Sequence, residues 1–256
     1  MSLAFTFRNS MSASTPVALI TGSARRIGAA IARRLHAAGY DLALHYRGSS
    51  ADMRALAAEL ESTRGGSVLT LQADLSEFDR LPELVAKAVG HFGRLDALVN
   101  NASAFRPTTI GSTTPQQWDE LFASNARAPF FLAQAAAPHL KVSHGAIVNL
   151  VDIYAEKPLA GHTVYCMAKA ALLMATQSLA LELAPEVRVN AIAPGAILWP
   201  EQDHSDTAKQ IMLGRTPLAR TGTPEEIAEA VRWLLRDATY TTGQVIHLDG
   251  GRMLAG

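Results

Sequence analysis

From Pro16 onward, short apolar runs alternate with longer stretches whose apolar residues recur every three or four positions. Val17-Ala18-Leu19-Ile20 predicts a first strand, and Ile27 to Ala38 predicts a helix that Gly39 stops. Leu42-Ala43-Leu44 falls in a second strand, Ala51 to Thr63 in a helix, and Val68 to Leu71 in a third strand. Leu81 to Phe92 predicts the next helix, and Leu95 to Val99 the fourth strand. Pro115 opens a helical pattern that runs towards Ala137, and Ala146 to Leu150 predicts a fifth strand. An alanine- and leucine-rich helix spans Val164 to Leu183. Val187 to Ile192, Pro224 to Leu235 and Val245 to Leu248 follow as strand, helix and strand.

Strands this apolar have no polar face to turn to water, so helices must cover the sheet on both sides. That requirement is met by parallel strands joined through right-handed crossovers. The expected fold is α/β, a Rossmann-type doubly wound parallel sheet of about seven strands. A chain of 256 residues suits one such domain and leaves little room for two cores. The expected division is a flexible leader at 1–14, with Met11 as an alternative start, and a catalytic domain at 15–256.

Composition narrows the class. Lysine plus arginine and aspartate plus glutamate number 23 each, which argues against a general nucleic-acid or anionic-membrane binder. No apolar run is expected to reach the roughly 20 residues of a membrane span. The first fourteen residues lack the apolar stretch of a signal peptide. Cys166 is the single cysteine, so no internal disulfide forms, and a cytoplasmic location is expected. The histidines show no zinc-type spacing, so no metal site is expected.

Two stretches carry chemistry. Thr21-Gly22-Ser23-Ala24-Arg25-Arg26-Ile27-Gly28 leaves the first strand and enters a helix. A glycine lets the backbone turn sharply there, and the helix start offers N–H groups to a pyrophosphate. The second strand ends in His45-Tyr46-Arg47-Gly48-Ser49-Ser50, without the carboxylate that a NAD binder places against the ribose 2′-hydroxyl. Arg26 and Arg47, with Ser49, suit a 2′-phosphate instead, so NADPH is expected over NADH.

The other stretch is Tyr165-Cys166-Met167-Ala168-Lys169. Four-residue spacing puts phenol and ammonium on one helix face. The lysine charge is expected to favour the phenolate and lower the tyrosine pKa from about 10. Phe105 offers a flat face for an aromatic substrate.

From Pro16 to Arg252 the chain resembles the short-chain dehydrogenase/reductase family. Gly22, Ile27 and Gly28 lie in that family's TGxxxGxG turn, with Arg26 at its middle glycine. The resemblance implies adenine contacts from Asp74 and Leu75, and a nucleotide-binding turn at Asn101-Ala102-Ser103, where Ser103 replaces the usual glycine. It also implies a catalytic asparagine at Asn125, nicotinamide packing on Pro194-Gly195, and ribose binding by Lys169. The resemblance also puts a catalytic serine thirteen residues before Tyr165, where this chain has Asp152. Its carboxylate can hold N–H groups of a nitrogen heterocycle, or deliver a proton if its pKa is raised, whereas an ionised carboxylate repels a developing alkoxide.

Within the family the chain is similar to the pteridine reductase group, through Arg26, His45-Tyr46, Asn101-Ala102-Ser103 with Phe105, and the set Asp152, Tyr165 and Lys169, and this implies that His45 and Tyr46 are also cofactor contacts. The stretch Ile192 to Leu198 with Glu201 resembles bacterial dihydromonapterin reductases. The resemblance implies NADPH-dependent reduction of a pterin C=N bond in a homotetramer. Ser103 would bond the pterin or a cofactor phosphate, and Leu198, in the loop running to about Thr207, would cover the substrate. The alternatives are a dihydromonapterin or dihydrofolate reductase, a general short-chain carbonyl reductase, and a dinucleotide-binding module without catalysis.

Overall fold

The structure, a computed structural model, describes residues 15–197, 210 and 213–255. The expected leader, Leu198 and the loop to Thr207 lie outside the described residues. Strands β1 (Val17–Ile20), β2 (Asp41–Tyr46), β3 (Val68–Gln72), β4 (Ala97–Asn100), β5 (Ala146–Leu150), β6 (Arg188–Pro194) and β7 (Val245–Leu248) build one sheet. Its order is β3-β2-β1-β4-β5-β6-β7, and every pairing is parallel. The expected fold class is therefore the one observed.

Alternation along the strands sorts the core onto two faces. Ala18 and Ile20 of β1 pack with Ile31 and Leu35 of α1 (Arg26–Ala37), Met53 and Leu56 of α2 (Ser50–Thr63), and Val231 and Leu234 of a later helix (Pro224–Arg236). Val17 and Leu19 point the other way, towards α3 (Leu81–Phe92) and the helices that carry Leu132 and Leu179. Both faces are dry, which is why the strands read as continuous apolar runs rather than alternating ones.

Helix α4 (Pro115–Phe122) starts from a capping box formed by Thr114 and Gln117, and Pro115 takes the first helical position. A π-type turn, Ala123–Arg127, leads directly into α5 (Ala128–Ser143). The helical stretch expected to end near Ala137 thus runs six residues further and contains Pro138. Packing overrides the proline: Leu140 is fully buried, and the Ser143 hydroxyl donates to the Leu95 carbonyl at 2.7 Å.

Helix α6 (Thr163–Leu183) corrects a second expectation, because its length and composition alone would suit a membrane span. Nine of its residues, including Tyr165, Lys169, Leu172 and Leu179, are buried in the protein instead. Its apolar content serves the sheet it covers. The last helix, α7 (Pro224–Arg236), has its own capping box from Thr223 and Glu226.

The chain leaves β1 towards β2 and β3, then returns to place β4 on the other side of β1. Loops at the carboxyl ends of β1 and β4 therefore diverge and open a crevice, the usual place for a ligand in open α/β sheets. Gly22, Arg26, Asn101 and Ser103 lie in the segments that leave β1 and β4 at that rim.

Candidate active site

The half around β1 and β2 is organised by backbone contact. Gly22 has φ +63°, and a Cβ there would lie 2.8 Å from Ala102 Cα. At Gly28 a Cβ would fall 2.2 Å from the Gly22 carbonyl oxygen and 2.7 Å from Asn101 Nδ2. Asn101 Nδ2 donates to the carbonyls of Thr21 and Gly22 at 2.9 and 3.0 Å. The Thr21 hydroxyl accepts the N–H groups of Asn101 and Ala102, each at 3.0 Å. The turns after β1 and β4 are thereby stitched together, and no side chain larger than hydrogen is tolerated where they touch.

His45, expected among the cofactor contacts, lies beneath the glycine turn. It is 2% exposed, its Nδ1 accepts the Gly22 N–H at 3.2 Å, and its Nε2 lies 3.1 Å from the Ala73 carbonyl. With Nδ1 accepting, the proton sits on Nε2 and the ring is neutral. Burial pushes its pKa down, in keeping with that state. Both ring nitrogens are used on backbone, so His45 shapes the turn from below and has no polar atom left for a ligand.

Arg26 has φ +53°, a conformation that costs little only for glycine, which accounts for the glycine its family places there. Helix α1 begins with no side-chain cap and no acidic residue in its first turn. Its N-terminal end therefore suits a phosphate. Arg47 keeps 74% of its side chain in solvent and lies 4.0 Å from Asp74. Asp74 stays ionised, with its carboxyl held low by the Ser76 N–H at 2.9 Å. Ser49 precedes α2 without capping it, Ile27 and Tyr46 are half-buried, Leu75 is buried, and Ser103 is exposed. Arg25 was not singled out from the sequence. It lies beside this group with its Nε 3.9 Å from Asp52, and the doubled cation at a helix start was the available signal.

The other half surrounds β5 and α6. Asp152 follows β5 in extended backbone and splits its carboxylate between two donors. Oδ1 accepts the Tyr154 N–H at 3.0 Å, and Oδ2 accepts the Tyr165 hydroxyl at 2.7 Å. One helical turn on, Lys169 Nζ donates to the Leu150 carbonyl at 2.8 Å and sits 5.8 Å from the Tyr165 ring centre. Lys169 is 2% exposed, and burial lowers its pKa to about 8, with Asp152 opposing the shift.

Tyr165 departs from expectation. Its pKa is pushed well above 10, by burial first and by the Asp152 charge and hydrogen bond next. The phenol is a held proton donor, not a phenolate favoured by Lys169. Burial also raises the Asp152 carboxyl, against the pull of Tyr154, Tyr165, Lys169 and Arg252.

Asn125 sits in the π-type turn, fully buried, and its Nδ2 donates to the Ala104 and Leu121 carbonyls at 2.9 Å each. Its Oδ1 has no partner among the described residues. Phe105 is 56% exposed, stacks on His162 at 4.6 Å and meets Tyr165 edge-on at 4.9 Å. His162, which the sequence did not flag, thus props Phe105 beside the phenol. Below them, Asn100 donates to Asn149 at 2.8 Å and Asn149 to Thr176 at 2.9 Å, tying β4, β5 and α6 together. Pro194 is buried, and the Gly195 N–H donates to the Leu248 carbonyl at 3.0 Å. A Cβ at Gly195 would come within 2.7 Å of Asp249 Cα.

A family model described as enoyl-(acyl carrier protein) reductase matches residues 22–252. The chain belongs to the short-chain dehydrogenase/reductase family. It is an oxidoreductase of that family. Pteridine reductase 1 of Leishmania tarentolae is 39% identical over a 284-residue alignment, covering 95% of this chain and 98% of the relative. A ketoacyl reductase of the granaticin polyketide synthase of Streptomyces violaceoruber is 41% identical over 246 residues, covering 93% and 96%. A 3-oxoacyl-acyl-carrier-protein reductase of Staphylococcus aureus is 37% identical over 241 residues, covering 93% and 98%.

In this short-chain dehydrogenase/reductase a carboxylate, a phenol and an ammonium are thus gathered out of water, with the phenol bonded to the carboxylate. Groups so placed are chemically able to hand on a proton. An ionised Asp152 attracts N–H donors and resists an oxyanion.

Proposed function

We propose that this protein uses NADPH to reduce pterins, biopterin and dihydrobiopterin types first and folates as a possible extension, at a ring C=N bond. The observation that carries the reading is the Asp152 carboxylate bonded to the Tyr165 hydroxyl at 2.7 Å beside the exposed face of Phe105. A pterin presents a flat ring edged with N–H groups, which matches an aromatic face next to a carboxylate. The 39% identical pteridine reductase relative supports the same class.

Bound NADPH supplies the hydride that goes to the ring carbon. Phe105 holds the ring flat, with Ser103 and Leu198 as further substrate contacts, and Asp152 accepts its N–H groups. Tyr165 gives its proton to the adjacent ring nitrogen, so the C=N bond becomes C–H and N–H. Asp152 stays ionised throughout, the Lys169 ammonium steadies the phenolate until water returns its proton, and Lys169 also binds ribose hydroxyls. Asn125 holds the turn, and its Oδ1, without a partner among the described residues, can order a donor. Gly22, Ile27, Gly28, Asn101, Ala102, Pro194 and Gly195 form the dinucleotide-binding surface, with Tyr46, Asp74 and Leu75 at its adenosine end. Arg26, Arg47 and Ser49 bind the 2′-phosphate.

A second reading, reduction of a 3-oxoacyl carbonyl, is favoured by the two ketoacyl reductase relatives at 41% and 37% identity. In that reading Tyr165 gives its proton to the carbonyl oxygen, and Asp152 can add a donor only when it is protonated. The deciding assay follows NADPH absorbance against biopterin, dihydrobiopterin, dihydromonapterin, folate, dihydrofolate and a panel of ketones. Turnover of pterins is expected, while turnover of carbonyl compounds alone overturns the pterin reading.

We also propose a homotetramer. Met167, Met174 and Leu181 lie seven residues apart along α6 and are 43%, 58% and 82% exposed, an apolar stripe suited to a helix of another copy. Light scattering at four times 27.3 kDa is expected, and a monomer refutes this assembly.

A further inference from the structure

Residues 249–255 fold back onto the turn that follows Asp152. Asp249 closes this segment on itself: Oδ1 accepts the Gly251 N–H at 2.8 Å and Oδ2 the Met253 N–H at 2.7 Å. Gly250 and Gly251, at φ +64° and +85°, supply the left-handed backbone that the turn needs. Met253 packs against the small cluster around Val151, Ile153 and Leu172.

This turn sets Arg252 against Tyr154. Its Nη2 donates to the Tyr154 hydroxyl at 3.1 Å, and its guanidinium lies 6.0 Å from the ring centre. Two more ties flank the contact: Lys157 Nζ donates to the Ala255 carbonyl at 2.7 Å, and His247 Nε2 meets Glu156 at 2.6 Å. Tyr154 is in turn the residue whose N–H holds Asp152 Oδ1.

We propose that Arg252 is a positioning residue for the acid–base centre, anchoring Tyr154 so that its backbone N–H aims the Asp152 carboxylate at Tyr165. This rests on the reading of Asp152 and Tyr165 as the proton-handling pair. The charged and titratable groups facing Asp152 are Tyr154, Tyr165, Lys169 and Arg252, and Arg252 favours the ionised carboxylate against burial. Removing its charge therefore raises the pH at which Asp152 takes a proton.

The test is a carboxyl-carbon NMR titration of Asp152 without substrate, assigned by D152N, in the wild type, R252K, R252Q and Y154F. In R252Q the midpoint is expected to move to higher pH by on the order of half a pH unit. R252K is expected to restore most of it, and Y154F to move it less in the same direction. The pH profile of NADPH oxidation should follow the same order. A loss of melting temperature with an unmoved midpoint overturns the proposal, as does an R252K midpoint equal to that of R252Q. Should R252Q not fold, Y154F alone decides it, and an unmoved midpoint there refutes the coupling. Because the titration needs no substrate, a shifted midpoint in a protein that ignores pterins counts against the pterin reading only.

Discussion

Arg47 and Lys169 carry the same charge near the same rim of the sheet, yet Arg47 leaves 74% of its side chain in solvent while Lys169 is 2% exposed. In water a cation paired at 4.0 Å with Asp74 contributes close to nothing to stability and is screened by salt. It remains available for an anion that arrives with its own charge. Inside the protein the same charge has no water to hydrate it, so burial drags the Lys169 pKa to about 8 and makes it responsive to Asp152. The half around β1 and β2 is thus shaped by backbone with charges added at the surface. The half around β5 and α6 is made of charges that set one another's protonation.

The strongest way to break the buried half is Tyr165→Phe, which leaves Asp152 without its hydroxyl donor. Turnover should fall by roughly 10²- to 10⁴-fold while NADPH affinity, read by fluorescence quenching, stays unchanged. Breaking the open half takes backbone instead. In Gly28→Ala the new methyl would meet the Gly22 carbonyl at 2.2 Å, so NADPH binding is lost and stability drops by roughly 1–3 kcal/mol in urea melts.

A milder perturbation separates the halves by medium. The Lys169 ammonium is present below about pH 8 and lost above it, so kcat should decline as pH rises through that value. Added salt should leave this limb in place while raising the KM for NADPH, because only the exposed arginines are screened. The smallest effect is expected for Arg47→Ala. Its preference for NADPH over NADH should fall about tenfold, with stability changed by less than about 0.5 kcal/mol.

Much of this molecule was legible because periodicity reports which side of a residue is dry. The bounds of α3, β5 and β7 coincide with the apolar patterns Leu81 to Phe92, Ala146 to Leu150 and Val245 to Leu248. Where packing outweighs a local rule the pattern misleads, as at Pro138, which buried Leu140 carries through the helix. The four-residue spacing of Tyr165 and Lys169 was also visible, since one helical turn fixes their common face.

Protonation and partnership were not visible. Tyr165 was expected to lean towards phenolate because the four-residue spacing puts the Lys169 charge on its helix face, but burial and the Asp152 contact set its state. His45 lay in a stretch expected to bind the nucleotide, yet the register of β2 with β3 turns its ring under Gly22 and onto Ala73. His162 behind Phe105 and Arg252 against Tyr154 pair residues 57 and 98 positions apart. The sequence by itself determined the alternating elements, their buried faces and the chemical types at the strand ends, because these depend on neighbours within a turn or a pleat. The tertiary structure alone decided which of those groups meet and which are cut off from water, because distance and desolvation arise only when remote strands are laid in register.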